Sequence, residues 1–216
     1  MASILSVNLG ARRPVAAKSG FSGIDKRPAG GPVHVSAPGP KGTGGSGLAG
    51  DVVCDTEHHG GDDQAVYAYA REQYAVWEGL LGRALAAGTF GENLTTAGVD
   101  VDGAVIGERW RVGPQLELQV SCPRIPCQTF AVRMGEPRWV RRFTEHGASG
   151  AYLRVLQAGP VRAGDAVEVL DRPAHGVTVA TAFRALTTRP DLLPLLLEVP
   201  QFPAAEREDL ARRLHR

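Results

Sequence analysis

The chain has 216 residues, a formal net charge of +1, 43% apolar and 22% charged residues. That is one domain with an appendage, or two small domains, and it excludes disorder throughout. Near-zero net charge gives no nucleic-acid footprint, and no run of 18 apolar residues exists to span a membrane.

Glycine (27) and proline (15) make up close to a fifth of the chain, and aromatics only 6%, a mixture suited to short strands and tight turns. The first residues lack a basic segment before an apolar one, so no secretory signal is expected. Ile4–Val7, Pro32–Ser36 and Leu48–Val53 are short apolar runs flanked by Gly or Pro and read as strands. Residues 39–50 hold six glycines in twelve and read as a flexible loop. From Asp63 the apolar spacing turns helical through Val66, Tyr69, Gln73, Trp77 and Leu81, with Gly82 and Gly88 ending it. Alternation returns over Ala104–Val112 and Leu116–Val120. Pro137 starts a short helix through Phe143, and Tyr152–Leu156 and Ala166–Leu170 are further strands.

After Pro173 the pattern becomes helical. Thr178 caps a helix to Leu186, Asp191 begins another through Leu197, and Pro203 a third ending near Leu214, with Glu208 and Arg212 one turn apart for an ion pair. The expected organisation is a strand-rich body over residues 1–172 and a three-helix domain over 173–216.

Four segments are candidates for carrying chemistry. Gly42-Thr-Gly-Gly-Ser-Gly47 matches a dinucleotide fingerprint formally, but a turn and strand follow where a helix is required, so it reads as a loop. Cys54 to Gln64, with His58, His59, Gly60 and Gly61, combines an expected helix start with backbone N–H groups that can approach an anion. Asp62 or Asp63 as a cap is an equal reading, whereas zinc on Cys54, His58 and His59 lacks a fourth ligand. Gly88 to Gly98 places Glu92, Asn93, Thr95 and Thr96 in a polar turn that satisfies local backbone or faces a heterocycle. In Val120 to Phe130, two prolines stiffen the exit of a strand and fix where Arg124 and Cys127 point. A thiol beside an arginine favours the thiolate, the form that binds soft metals or attacks electrophiles. Cys54 and Cys122 read as packing residues, and three cysteines without a disulfide framework suit a reducing cytoplasm. Residues 1–50 carry six Lys/Arg against Asp25 alone, an excess that suits a small anion.

In this order, Gly50-Asp51, His58 to Tyr69, Gly88 to Thr96, Ile106-Gly-Glu-Arg109 and Val120 to Cys127 resemble the MOSC family, and more closely its YiiM-type branch. The tail from Gly176 to Leu197 resembles the three-helix domain of that branch. The resemblance implies a mainly β fold with helices, a MOSC barrel of the pyruvate-kinase type, and a molybdenum cofactor (molybdopterin); pyridoxal phosphate is not expected. It implies Cys127 as metal ligand and catalytic centre, with His59, Gly60, Gly61, Asn93, Thr95 and Arg124 near the pterin; Lys26 and Arg27 are candidate phosphate anchors. The implied activity is reduction of N-hydroxylated compounds such as hydroxylaminopurines to amines. No flavin fingerprint or iron–sulfur cysteine run is visible, so electrons are expected from a separate reductase docking near the cofactor mouth or the tail. The rival readings are a cofactor carrier or sulfur-transfer module, and a binding protein in which Cys127 is core. Arg184 and Arg189 make no basic recognition face, so the tail is expected to dock a partner or form a homodimer, with no nucleic acid and no membrane involved.

Overall fold

The computed structural model describes residues 1–214. The N-terminal part contains β1 (Ser3–Gly10), β2 (Arg13–Pro14), β3 (Phe21–Ser22), β4 (Lys26–Pro28) and β5 (Val33–Val35). The middle follows with β6 (Val66–Ala70), α1 (Arg71–Leu81), β7 (Leu94–Ala97), β8 (Arg109–Val112) and β9 (Leu116–Pro123). Then come α2 (Gln128–Met134), α3 (Trp139–His146), β10 (Ala151–Gln157), β11 (Gly159–Val161) and β12 (Val167–Asp171). The tail is α4 (Val179–Thr187), α5 (Leu193–Leu197) and α6 (Ala204–Leu214).

Eight strands form one mixed sheet in the order β12-β8-β9-β10-β6-β7-β1-β4, with β6 and β7 its parallel pair. Ser3 bridges Ala166, and the Ile4 N–H donates to the Asp165 carbonyl at 2.9 Å. These bonds join β1 to the approach of β12, closing the sheet into the expected barrel. Inside lie Val7, Trp110, Leu118, Val120 and Leu153, all buried. Among the described residues six α-helices surround the sheet, so the fold is mixed α/β.

The helix starts later than the periodicity suggests. Val66–Ala70 are buried on both faces and form a strand between β10 and β7, and α1 begins at Arg71. A strand covered on both sides has no polar alternation, so a continuous apolar run reads equally as helix or strand. Asp62 and Asp63 therefore cap no long helix: Asp62 accepts from the Gly39 N–H at 2.9 Å, and Asp63 pairs with Arg154. Leu48–Val53 is not a strand either; Leu48 makes one bridge to Val35 and the rest is turn and irregular chain.

Helix α2 was not expected. Pro126 and the extended Cys127 at its N-cap disguise its start, but Phe130 and Met134, four apart and buried, followed by Gly135 in the left-handed region (φ 67°), mark it. Phe130 joins Tyr69, Tyr74, Trp77, Phe90, Trp139 and Phe143 in a second, aromatic cluster outside the barrel.

The tail agrees closely with the sequence. The Thr178 hydroxyl accepts from the Thr181 N–H at 3.1 Å and caps α4. Val179, Ala182, Leu196, Phe202 and Leu210 belong to the same buried cluster as the barrel interior, so tail and barrel share one core. Arg212 and Arg213 pair with Asp209 rather than Glu208. Among the described residues no helix is long and apolar enough to cross a membrane.

Candidate functional site

Where β9 ends, its chain is fixed by Pro123 and Pro126 and delivers Arg124 and Cys127 to a small open pocket of about 110 Å³. The other walls come from Phe21 to Ile24 and Lys26, from Val52 to Asp55 with His59, and from Gly91, Thr129 and Tyr152. The floor depends on close backbone approach. A Cβ on Gly10 would stand 1.8 Å from the Gly23 carbonyl oxygen, and one on Gly23 would stand 1.9 Å from that of Val52. Only glycine lets these three segments stack.

Cys127 is half-buried and free. Burial alone would raise its thiol, but His59 beside the sulfur, the Arg124 charge and the Phe130 N–H outweigh it and bring the pKa down to about 7. Cys122 shows the opposite: fully buried, it is pushed up to about 12. The Arg124 guanidinium is buried, donates to the Phe90 carbonyl, and lies 3.9 Å from the Phe130 ring centre and 5.1 Å from that of Tyr67. Among the described residues no Asp or Glu forms an ion pair with it; burial works against its charge, and Tyr67, Tyr152 and Cys127 are the groups that outweigh it. A buried cation with that environment stabilises a thiolate or a bound anion.

Of the residues expected from sequence, His59, Arg124 and Cys127 meet in the pocket. Asn93 and Thr95 lie beneath it. Asn93 accepts from the Tyr67 N–H at 3.1 Å and donates to Asp51 at 2.8 Å, while the Thr95 hydroxyl donates to Glu92 at 2.6 Å. Asp51 in turn holds the Lys26 ammonium at 2.5 and 2.6 Å and accepts from the Gly10 N–H at 2.7 Å. Desolvation lowers the Lys26 pKa, against the pull of Asp51. Lys26 thus reaches the pocket with its charge committed, and Arg27 turns outward to Asp25 at 3.0 Å.

Gly60 and Gly61 do not line the pocket. The Gly61 N–H donates to the Gly45 carbonyl at 3.0 Å and that of Gly60 to Gln64 at 3.2 Å, and both pack against the glycine-rich loop. That loop is followed by the Val35–Leu48 bridge, not by a helix. His58 turns to Asp55 at 3.0 Å, and the described residues contain no group of three His, Cys, Asp or Glu side chains able to hold a metal ion. Cys54, Phe21 and Tyr152 line the pocket without having been expected there. Their segments are far apart in sequence, and no local spacing connects them.

The chain belongs to the MOSC-domain family, whose model matches residues 55–168, from Asp55 beside the pocket to the last strand of the sheet. It is 37% identical over 184 residues to the uncharacterized protein YflK of Bacillus subtilis, covering 84% of this chain and 79% of that one. The crystal structure of YiiM from Geobacillus stearothermophilus superposes with a TM-score of 0.79 at 28% identity, covering 99% of this chain and all of the other. That of YiiM from Escherichia coli has the same fold, with a TM-score of 0.73 at 22% identity. Within the family the chain is therefore of the YiiM type. A protein of Gibberella moniliformis named "Reductase" is 31% identical over 86% of this chain, which spans about a third of its length (32%).

Proposed function

We propose that the protein binds the molybdenum cofactor associated with its family and reduces N-hydroxylated compounds, hydroxylaminopurines among them, to amines. The observation that carries this is Cys127: a thiol with its pKa brought down to about 7, open to a pocket beside a buried, acid-free arginine. Those residues fit the metal end of the cofactor, because a thiolate is the soft donor that molybdenum takes. Arg124 and His59 fit the anionic and hydrogen-bonding periphery, while Asn93, Thr95, Lys26 and Asp51 form the polar layer that holds the wall behind them.

When bound, the group supplies the two-electron chemistry: R–NHOH takes up two electrons and two protons, the N–O bond breaks, and R–NH2 and water leave. The chain's own residues keep the sulfur ionised, neutralise negative charge through Arg124, and exclude bulk water with Tyr152 and Phe21. The electrons come from a separate protein, a view supported by the lack of a flavin fingerprint or an iron–sulfur cysteine run in this sequence.

A carrier or sulfur-transfer role is the second reading, because a thiolate open to a pocket at neutral pH also suits a persulfide. Metal analysis of protein purified from a cofactor-producing host tests both. Stoichiometric molybdenum, lost in Cys127→Ser, is expected, and its absence from the wild type would overturn the cofactor reading. Turnover of 6-hydroxylaminopurine with reduced methyl viologen is expected of the reductase, and a loaded protein without turnover would leave the carrier.

A further inference from the structure

The basic excess of the first fifty residues has a definite place. Asp25 sits between Ile24 and Lys26, both in the pocket wall, and three arginines converge on its single carboxylate: Arg133 at 2.9 Å, Arg27 at 3.0 Å and Arg13 at 3.8 Å. Arg13 and Arg27 are more than 60% exposed. Arg12 covers the ring of Phe21, another wall residue, at 3.6 Å, and Lys18 is exposed in the turn between β2 and β3. Among the described residues neither Arg12 nor Lys18 has a carboxylate within ion-pair distance. Five cations thus stand around Asp25 and Phe21 in a lip beside the pocket, while Asp55, the acid that lines it, turns to His58.

Two exposed apolar side chains belong to the segments that form the pocket. Phe21 is 37% exposed and Ile125, between Arg124 and Pro126, is 42% exposed. Exposed aromatic and aliphatic side chains together with arginine are the composition of a protein interface. The helical tail is closer to balance: among the described residues Arg184 is exposed without a carboxylate partner, but Arg189 pairs with Asp191, Arg212 and Arg213 with Asp209, and Lys41 with Glu206. Proximity also favours the lip. Arg133 lies six residues beyond Cys127 along α2, about 9 Å at the helical rise.

We propose that this lip, formed by Arg12, Arg13, Lys18, Arg27 and Arg133 with Phe21 and Ile125, is the docking surface for an acidic electron-carrier protein. The proposal rests on the reductase reading for its purpose, but docking itself requires no turnover. Unpaired charge steers an oppositely charged partner to the pocket mouth, raising the association rate at low ionic strength. The apolar side chains then supply the contact that survives screening. A single anionic ligand would need less: Asp25 already occupies the convergence point of three arginines, and the remaining cations spread outward over the hairpin.

A flavodoxin, as an acidic one-electron carrier, is the probe. Its binding to the full chain is followed by surface plasmon resonance at low salt and at about 0.5 M salt, where screening is nearly complete. Arg13→Glu combined with Lys18→Glu changes two exposed residues and is expected to weaken binding at least tenfold at low salt. The difference should shrink below about twofold at high salt, and Arg141→Glu on α3, an exposed arginine outside the lip that pairs with Glu145, should have no effect. Lys18→Glu alone, in the hairpin turn, should weaken binding in the same direction if the double variant fails to fold. Absence of low-salt binding by the wild type, or equal weakening by Arg141→Glu, overturns the proposal. So does inorganic phosphate binding that is lost in the lip variants while flavodoxin binding is unchanged. Turnover with reduced methyl viologen is measured in parallel: its failure in the wild type sinks the reductase reading and leaves the docking result standing.

Discussion

Replacing His59 by alanine probes the balance that ionises Cys127. With the pKa at about 7, half of the thiol is ionised at pH 7; at the unperturbed value of 9.0 about 1% would be, a difference of roughly 50-fold in thiolate. His59 supplies part of that shift, and Arg124 and the Phe130 N–H remain in the variant. Its removal should therefore raise the midpoint by about one unit and slow alkylation at pH 6–7 about tenfold. The assay is the rate of iodoacetamide alkylation against pH, in metal-free protein carrying Cys54→Ser. Cys122, buried and pushed up to about 12, stays silent. A titration midpoint near 7 is expected in the parent, with the same limiting rate at high pH in both proteins, because accessibility has not changed. A parent midpoint above about 8.5, or no movement in His59→Ala, would refute the electrostatic account.

Two further substitutions test the layer beneath and beside the pocket. Asp51→Ala leaves the Lys26 ammonium buried without its carboxylate and also strips acceptors from Gly10 and Asn93, so urea unfolding should show a loss of about 3–5 kcal/mol; a loss under 1 kcal/mol would contradict a buried pair. Asp102, largely buried and raised from 3.8 to about 6, binds its proton more tightly in the folded than in the unfolded state. Its ionisation therefore costs stability progressively between pH 4 and 6 and fully above. Asp102→Asn, which keeps an acceptor for the Gly150 N–H, should be more stable by about 2–3 kcal/mol at pH 7 and nearly unchanged at pH 4. Equal urea midpoints for variant and parent at both pH values would argue against it.

Local signals carried far in some regions and failed in others. Thr178 before an apolar helical stripe sufficed for α4, because a side-chain cap and a face pattern are both written within ten residues. The same logic misread Val66–Ala70, whose burial on both sides comes from β10, β7 and the aromatic cluster, none of them nearby in sequence. The polar turn carrying Asn93 and Thr95 showed its composition but not its direction. Its side chains face inward because Asp51, Asn8 and Glu92 are there to meet them.

The sequence alone determined the family resemblance, the strand-rich barrel with a helical tail, and the Arg124–Cys127 segment, since rigid prolines and a thiol beside a guanidinium are contiguous facts. Only the tertiary structure decided which thiol ionises. Cys122 and Cys127 are five residues apart, yet burial raises one to about 12 while His59 and Arg124 bring the other to about 7. It also separated Lys26, locked on Asp51, from the unpaired cations of the lip, though all come from one basic stretch. A charge takes its meaning from desolvation and from its nearest opposite charge, and both are set by chain segments that meet only in the fold.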